Sequence, residues 1–176
     1  MAEWWVSPLL VFGHVAAATV TCHGLDRKAD LRWVIFLTLL ADIIDKPLGL
    51  VVFSETINNG RVWFHSLAVN LVLSLILLLW RKPLVYVLSL WFHQLCDRMW
   101  MRPWVALWPL TGRFGYRDMA IDEWVYNVLN PYNVISDVIG LVVVLVFAWY
   151  YRLFRWDRLS EWIRSGTLES PLLSSK

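Results

Sequence analysis

Long apolar runs separated by short polar turns fill the first 100 residues of the chain, and one more run follows after residue 131. A helix that crosses a bilayer needs about 20 mostly apolar residues. The pattern therefore predicts an all-α protein, a polytopic transmembrane helical bundle of about five spans. The predicted spans are Pro8 to His23, Leu31 to Phe53, Val62 to Trp80, Leu84 to Trp100 and Val134 to Phe154.

Residues 1–164 are predicted to form a single transmembrane helical domain. The Ser-rich segment 165–176 that follows is predicted to be a mobile tail. Inside the second predicted span, Pro47 is expected to interrupt the helix and to free nearby carbonyl groups.

Composition agrees with a membrane location. The 176 residues are 59% hydrophobic and 17% charged, against roughly 45 to 50% and about 25% in soluble domains. This excludes a disordered chain and argues against a soluble domain, while the 13 Trp suit a bilayer interface. The net charge of +2 comes from scattered residues, so the expected partner is a lipid bilayer and nucleic acid is not expected.

The basic residues predict an orientation. Cytoplasmic loops of membrane proteins carry an excess of Lys and Arg. The side of the predicted bundle that holds the turn after the first span, the turn after the third and the C-terminal segment carries the larger number of them. We therefore expect an external N-terminus and a cytoplasmic C-terminus.

A small set of ionisable residues lies within the predicted spans, at positions where a charge costs several kcal/mol unless it has a partner or a cavity. When the spans are traced alternately up and down, all of these residues fall in one half of the bilayer. They are His14, Asp42, Asp45, His65, His93, Asp97 and Asp137. His23 falls at the other end of its span and is expected to be interfacial, while Cys22 and Cys96 are interpreted as small core residues.

Local spacing favours convergence of these side chains. His93 and Asp97 are separated by four positions and Asp42 and Asp45 by three, so each pair shares one face of a helix. Imidazoles and carboxylates are ligands for zinc and similar divalent metal ions. The alternative is polar contacts between helices without chemistry, but such contacts give no reason for a set made only of His and Asp.

The order of the motifs resembles that of a known family. The segments are Asp42 to Asp45, Arg61 to Leu67, His93 to Asp97 and Leu107 to Leu110. Together they resemble the prokaryotic membrane-bound metal-dependent hydrolases, a YdjM-like family also described as LexA-binding and inner-membrane-associated. The resemblance covers about Gly13 to Phe114 and implies a multi-pass protein of the prokaryotic inner membrane, that is, of the cell membrane.

The resemblance implies six metal ligands, with departures around them. The implied ligands are His14, Asp42, Asp45, His65, His93 and Asp97. Where the family has Pro, His, His, Gly and Thr, this chain has Ala41, Lys46, Gly60, Val62 and Phe64. The replacement of two family His residues leaves open whether one or two ions are held, and whether catalysis is retained.

The expected chemistry is hydrolysis of a lipid-linked or membrane-proximal ester, with a phosphoester favoured and zinc the expected cofactor. Asp45 or Asp97 would orient the nucleophile or act as general base. Arg61, Arg98 and Lys46 are candidates for binding an anionic substrate, although the arginines could equally anchor helices at lipid phosphates. The alternative function is non-enzymatic, either an ion- or proton-coupled transporter or a degenerate scaffold.

Overall fold

The computed structural model describes residues 10–118, 125–126 and 128–168. Every regular element within these ranges is helical, which confirms the predicted all-α class. The longer helices are α1 (Val11–Leu25), α2 (Leu31–Pro47), α3 (Leu67–Leu79), α4 (Leu84–Cys96) and α6 (Pro131–Tyr150). The shorter elements are a π-helical turn (Leu48–Val52), two 3-10 turns (Trp63–His65 and Met99–Met101), α5 (Pro103–Ala106) and α7 (Trp156–Ser165).

One helix of the described chain, α6, is long and apolar enough to cross a membrane, with 20 residues. Only 11% of its most apolar stretch is buried inside the protein, whereas the central helix of a soluble protein is mostly buried. The apolar helices α1, α3 and α4 have 15, 13 and 13 residues, which is less than a full crossing at 1.5 Å per residue.

Several helix ends differ from the predicted spans. The second helix stops at Pro47, whose ring cannot continue regular helical bonding, and passes into the π-helical turn instead of running to Phe53. The third helix begins only at Leu67, where the side chain of Ser66 accepts a hydrogen bond from the backbone N–H of Val69. His65 therefore belongs to a short turn before the helix.

Helix α1 lies at the centre and contacts α2, α4 and α6. Its inner residues Ala18 and Cys22 are fully buried with Val34 of α2 and Leu90 of α4. The Cys22 side chain adds a polar contact within this core, since its thiol lies 3.4 Å from the Val85 carbonyl oxygen. Cys22 is thus the small core residue predicted, whereas Cys96 is only partly buried.

The crossing of α1 and α6 is fixed by a glycine and a carboxylate. A Cβ atom on Gly140 would lie 2.5 Å from the backbone of Phe12 and Gly13, so the two helices touch through their main chains. One turn earlier on α6, Asp137 accepts hydrogen bonds from the backbone N–H groups of Phe12 at 2.7 Å and Gly13 at 3.1 Å. Asp137 thus satisfies N–H groups that the first turn of α1 leaves unpaired.

Helix α7 closes the opposite end of the bundle. The Arg32 guanidinium donates to the carbonyl oxygens of Ile163 and Arg164 at the end of α7, and to the Asp30 carboxylate. Gly166 ends the helix with φ of 75° and its carbonyl oxygen accepts from the N–H of Leu31. Within the predicted mobile tail, residues 166–168 are therefore packed, Ser165 is exposed, and 169–176 lie outside the described residues.

Replacing Arg32 with glutamine should release α7 from the bundle. We expect amide exchange within 156–165 to rise about tenfold, since the charged donor to both terminal carbonyls is lost. Hydrogen–deuterium exchange with mass spectrometry measures this, with Lys28→Gln, in the exposed turn just before α2, as the control. Equal exchange in both variants would contradict the role given to Arg32.

The same contact predicts a pH dependence. Hydrogen bonds from Arg32 hold the pKa of Asp30 below its ordinary value of 3.8. A carboxylate with a lowered pKa in the folded protein contributes stability that is present above the unfolded pKa and is lost as the pH falls below it. The protection of α7 against exchange, corrected for the intrinsic pH dependence of amide exchange, should therefore stay constant from neutral pH to about pH 5 and should fall below about pH 4.

Candidate metal centre

All six predicted ligands come together at one end of the bundle. His14 comes from the first turn of α1, Asp42 and Asp45 from α2, His65 from the 3-10 turn, and His93 and Asp97 from the end of α4. Their side chains are at most 1% exposed, except that of Asp42, which is 14% exposed. The convergence predicted from their depth and spacing is confirmed.

One group of ligand atoms is formed by Asp42, His65 and His93. The Nε2 atoms of His65 and His93 are 3.0 Å apart, and Asp42 Oδ1 lies 3.5 Å and 3.9 Å from them. Asp97 Oδ2 lies 3.5 Å from the same His65 nitrogen and 4.0 Å from that of His93. Ligand atoms around a tetrahedral zinc ion are about 3.3 Å apart, so the three atoms of Asp42, His65 and His93 have roughly the spacing of one coordination sphere, with Asp97 Oδ2 beside them.

A second, overlapping group is formed by His14, His93 and Asp97. His14 Nε2 lies 3.2 Å from Asp97 Oδ1, and the His14 and His93 rings are stacked with centroids 4.5 Å apart. Each oxygen of Asp97 thus faces a different histidine. The arrangement can hold one ion within either group.

Asp45 lies behind His65 and outside both groups. Its Oδ2 accepts from His65 Nδ1 at 2.7 Å and from the backbone N–H groups of Val62 and His65, and its Oδ1 accepts from that of Phe64. A buried carboxylate with this many donors holds the His65 ring and the turn that carries it. Carboxylates commonly support metal-binding histidines in this way, so Asp45 orients a ligand rather than extending the ligand set.

The donor set fits a cation because several nitrogen and oxygen atoms that can act as acceptors meet at short distances. His14 Nδ1 lies 2.8 Å from the Leu10 carbonyl oxygen and His65 Nδ1 binds Asp45. Each of these nitrogens therefore carries its ring's proton, and each Nε2 presents a lone pair. His14 Nε2 and Asp42 Oδ1 are buried and make no hydrogen bond. Buried groups without a partner are rare. An ion held with His93 and Asp97 would satisfy His14 Nε2, and an ion held with His65 and His93 would satisfy Asp42 Oδ1.

Two of the three predicted substrate-binding cations lie against the ligand carboxylates. Arg61 Nε is 2.5 Å from Asp97 Oδ2, and Lys46 Nζ is 2.6 Å from Asp42 Oδ2. Lys46 thus pairs with Asp42 and not with Asp45. Arg98 is directed elsewhere, because its guanidinium donates to the Tyr132 hydroxyl at 2.6 Å and lies over that ring.

The side of the centre that carries Lys46 and Arg61 is partly exposed. The Lys46 side chain is 46% exposed and that of Arg61 is 17% exposed. They stand beside Asp42, the most exposed ligand, so a substrate would approach past these cations.

Sequence reasoning missed the residues that fix the turn around His65. The side-chain amides of Asn70 and Gln94 both donate to the Phe64 carbonyl oxygen, at 2.9 Å and 3.2 Å. Both residues are buried. The sequence feature that could have revealed them is an amide side chain within a run of otherwise apolar residues. Gly49 also helps to fix this region. A Cβ atom there would lie 1.8 Å from the Asn59 carbonyl oxygen, so a side chain at this position would displace the loop before Arg61.

His23 and Asp137 lie outside both groups of ligand atoms. His23 is buried at the other end of the bundle, where its Nε2 lies 2.7 Å from the Tyr151 hydroxyl. Asp137 shares the predicted depth of the ligands, but its carboxylate caps α1.

Comparison with protein-family models, with curated proteins and with solved structures gave no match for this chain.

Proposed function

We propose that this protein is a membrane-bound, metal-dependent hydrolase that acts on a lipid-linked or membrane-proximal ester, with a phosphoester favoured. The observation that carries the proposal is the convergence of His65 Nε2, His93 Nε2, Asp42 Oδ1 and Asp97 Oδ2. In structural metal sites the ligands close the coordination sphere, whereas catalytic sites keep an accessible position. The exposure of Asp42 and Lys46 at the mouth supports the catalytic kind.

The membrane location rests on the outer surface of the bundle. Large apolar side chains are exposed along α3 and α6, and Leu79, Val142 and Val146 are 71%, 52% and 57% exposed. Monomeric soluble proteins rarely show apolar patches of this extent. We propose that about five segments cross or enter the bilayer, with an external N-terminus and a cytoplasmic C-terminus. In such a bundle the shorter helices would be completed by their flanking turns.

A bound divalent ion would activate a water molecule and stabilise negative charge on the attacked group. Side chains of the protein would orient the ligands and the water molecule. Asp45 holds the His65 imidazole so that its Nε2 faces the centre. Asp97, a carboxylate with one oxygen towards His14 and one towards His65, is placed to orient a water molecule or to take its proton.

Phosphoesters are favoured because the mouth carries positive charge. Lys46 and Arg61 each use only part of their hydrogen-bonding capacity on the carboxylates, and both are partly exposed. A guanidinium has five N–H donors and matches a phosphate well. The phosphate of a lipid headgroup can reach this point without leaving the interface.

The proposal predicts chelator-sensitive phosphodiesterase or phosphomonoesterase activity in the purified full-length protein. In detergent micelles loaded with Zn²⁺ or Mn²⁺, bis-p-nitrophenyl phosphate and p-nitrophenyl phosphate report the two activities. p-Nitrophenyl acetate serves as a carboxylic ester. For the preferred substrate, His93→Ala should lower kcat/KM by at least about 100-fold, which corresponds to about 2.7 kcal/mol of transition-state stabilisation.

Lys46→Met provides a sharper test of the substrate class. The substitution keeps most of the length and apolar character of the side chain and removes the positive charge of Lys46. Hydrolysis of the anionic esters should fall by about tenfold or more, while hydrolysis of the neutral acetate should change little. No hydrolysis with any of the three esters and any of the added metals would contradict the hydrolase. A proton flux into liposomes that survives chelation would favour the transporter.

A further inference from the structure

Helix α7 carries an apolar strip that the described part of the chain leaves largely uncovered. Trp156 and Ile163 are seven positions apart and therefore lie on one side of the helix, where they are 77% and 51% exposed. The neighbouring side of α7 faces inward, since Trp162 packs against the buried core of the bundle. One apolar side thus holds α7 on the bundle and a second one faces its surroundings.

The apolar strip lies where a membrane crossing would end. Helix α6 is long and apolar enough to cross a bilayer, and only residues 151–155 separate its end from the start of α7. Trp149 in the last turn of α6 and Phe154 just before α7 are exposed as well. Aromatic side chains, Trp above all, collect at the boundary between hydrocarbon and headgroups. An amphipathic helix that follows such a crossing is placed to lie along that boundary.

The excess positive charge of the described residues lies at this end of the bundle. The turn before α4 belongs to the same end, because the Tyr86 hydroxyl accepts from the backbone N–H of Asp30. The basic residues of this end outnumber the acidic ones by nine to four; they are Arg27, Lys28, Arg32, Arg81, Lys82, Arg152, Arg155, Arg158 and Arg164, against Asp26, Asp30, Asp157 and Glu161. At the end that holds the metal centre the numbers are equal, with Lys46, Arg61, Arg98, Arg102, Arg113 and Arg117 against Asp42, Asp45, Glu55, Asp97, Asp118 and Asp137.

Most of the basic side chains around α7 are not neutralised within the protein. Three of the nine form ion pairs with Asp30, Asp157 and Glu161. The other six are exposed and form no ion pair within the described chain; they are Arg27, Lys28, Arg81, Lys82, Arg152 and Arg164. Exposed cations beside an apolar strip match a surface that presents anionic groups above hydrocarbon.

We propose that α7 lies in the headgroup layer of the membrane, with Trp156 and Ile163 towards the acyl chains, and that the basic end of the bundle binds anionic phospholipid headgroups in preference to zwitterionic ones. In the proposed orientation this end faces the cytoplasmic leaflet, which carries anionic lipids. A second copy of the chain fits the surface poorly, because it would bring the same excess of positive charge. The inference rests on the membrane location proposed above, but not on the metal centre or on hydrolysis.

The test measures hydrogen–deuterium exchange of 156–165 in the full-length protein held in lipid nanodiscs. Nanodiscs of phosphatidylcholine alone are compared with nanodiscs that contain about 30% phosphatidylglycerol, and the anionic lipid should slow exchange by about three- to tenfold at low salt. About 0.5 M NaCl should abolish this difference, because it shortens the Debye length to a few ångströms. Equal exchange in the two lipid mixtures at low salt would overturn the proposal.

Two charge variants locate the effect. Arg152→Gln combined with Arg164→Gln removes two exposed cations beside α7 and should reduce the response to phosphatidylglycerol at least about threefold. Arg113→Gln combined with Arg117→Gln removes the same charge at the other end of the bundle and should leave the response unchanged. An equal reduction in both variants would show attraction to the net charge alone and would overturn the assignment to this surface.

A third variant tests the apolar strip. Trp156→Ser keeps every charge and should raise exchange of 156–165 in both lipid mixtures, whereas unchanged exchange would contradict the placement of α7 in the headgroup layer. Metal-stripped protein should respond to phosphatidylglycerol as metal-loaded protein does, so failure here and failure of the hydrolase are distinguishable. Protein recovered outside the nanodiscs would contradict the membrane location itself.

Discussion

Protein that carries both His65→Ala and His93→Ala should bind no stoichiometric divalent metal, because the two changes together remove a ligand from each group. The unaltered protein purified without chelator should hold at least one ion per chain. His65 is the residue most central to the cluster, since its Nε2 lies within 3.5 Å of His93, Asp42 and Asp97. Elemental analysis of the purified proteins, followed by titration of metal-stripped samples with Zn²⁺, measures both the stoichiometry and the affinity.

Two further variants make this result specific. Asp45→Asn keeps the shape behind His65 but removes the carboxylate that fixes the ring, so the metal affinity should fall about 10- to 100-fold while binding remains measurable. His23→Gln removes an equally buried imidazole at the other end of α1 and should leave the metal content unchanged. Metal absent from the unaltered protein, or lost equally in His23→Gln, would refute the metal centre.

The second large effect is expected at Gly140. Substitution by alanine places a Cβ atom 2.5 Å from the main chain of α1, and backbone cannot move aside as the end of a flexible side chain can. Separating α1 from α6 also lengthens the Asp137 hydrogen bonds to Phe12 and Gly13. We expect a loss of about 3 kcal/mol or more in the free energy of unfolding.

Gly24→Ala is the matched control, because Gly24 is also helical but has open space around the position of a new Cβ. That substitution should be neutral or stabilising by up to about 1 kcal/mol, the ordinary difference between Gly and Ala in a helix. Thermal unfolding in detergent, followed by tryptophan fluorescence, compares the two. Similar midpoints for both variants would show that the α1–α6 contact does not depend on Gly140.

The sequence alone predicts the helical class and the ligand cluster because both depend on local regularities. Apolar runs reveal helices, and the alternation of spans places His14 and His93 at the same depth although 79 positions separate them. The separation of His93 from Asp97 by about one helical turn then places both residues on one face of the helix. These inferences needed no knowledge of how the helices pack.

Other parts of the centre depend on long-range geometry that no local pattern contains. The sequence placed Asp45 among the ligands, and only the fold shows its oxygens turned to the backbone of Val62, Phe64 and His65. Asp137 has the depth of a ligand, but α6 packs where its carboxylate meets the start of α1. Helix α7 was also missed, although a local signal was present, because Trp156, Leu159, Trp162 and Ile163 recur at the spacing of one helix face.

The order of the ligands along the chain has a consequence for biosynthesis. Every ligand atom of the cluster belongs to residues 14–97, and α6 contributes none of them. A nascent chain that has emerged as far as Asp97 therefore already carries a complete set of ligands, before the helix that Asp137 joins to α1 has been made. A metal ion held by these residues would therefore not require α6, and the arrival of Asp137 at the N-terminus of α1 would be the step that fixes the position of His14.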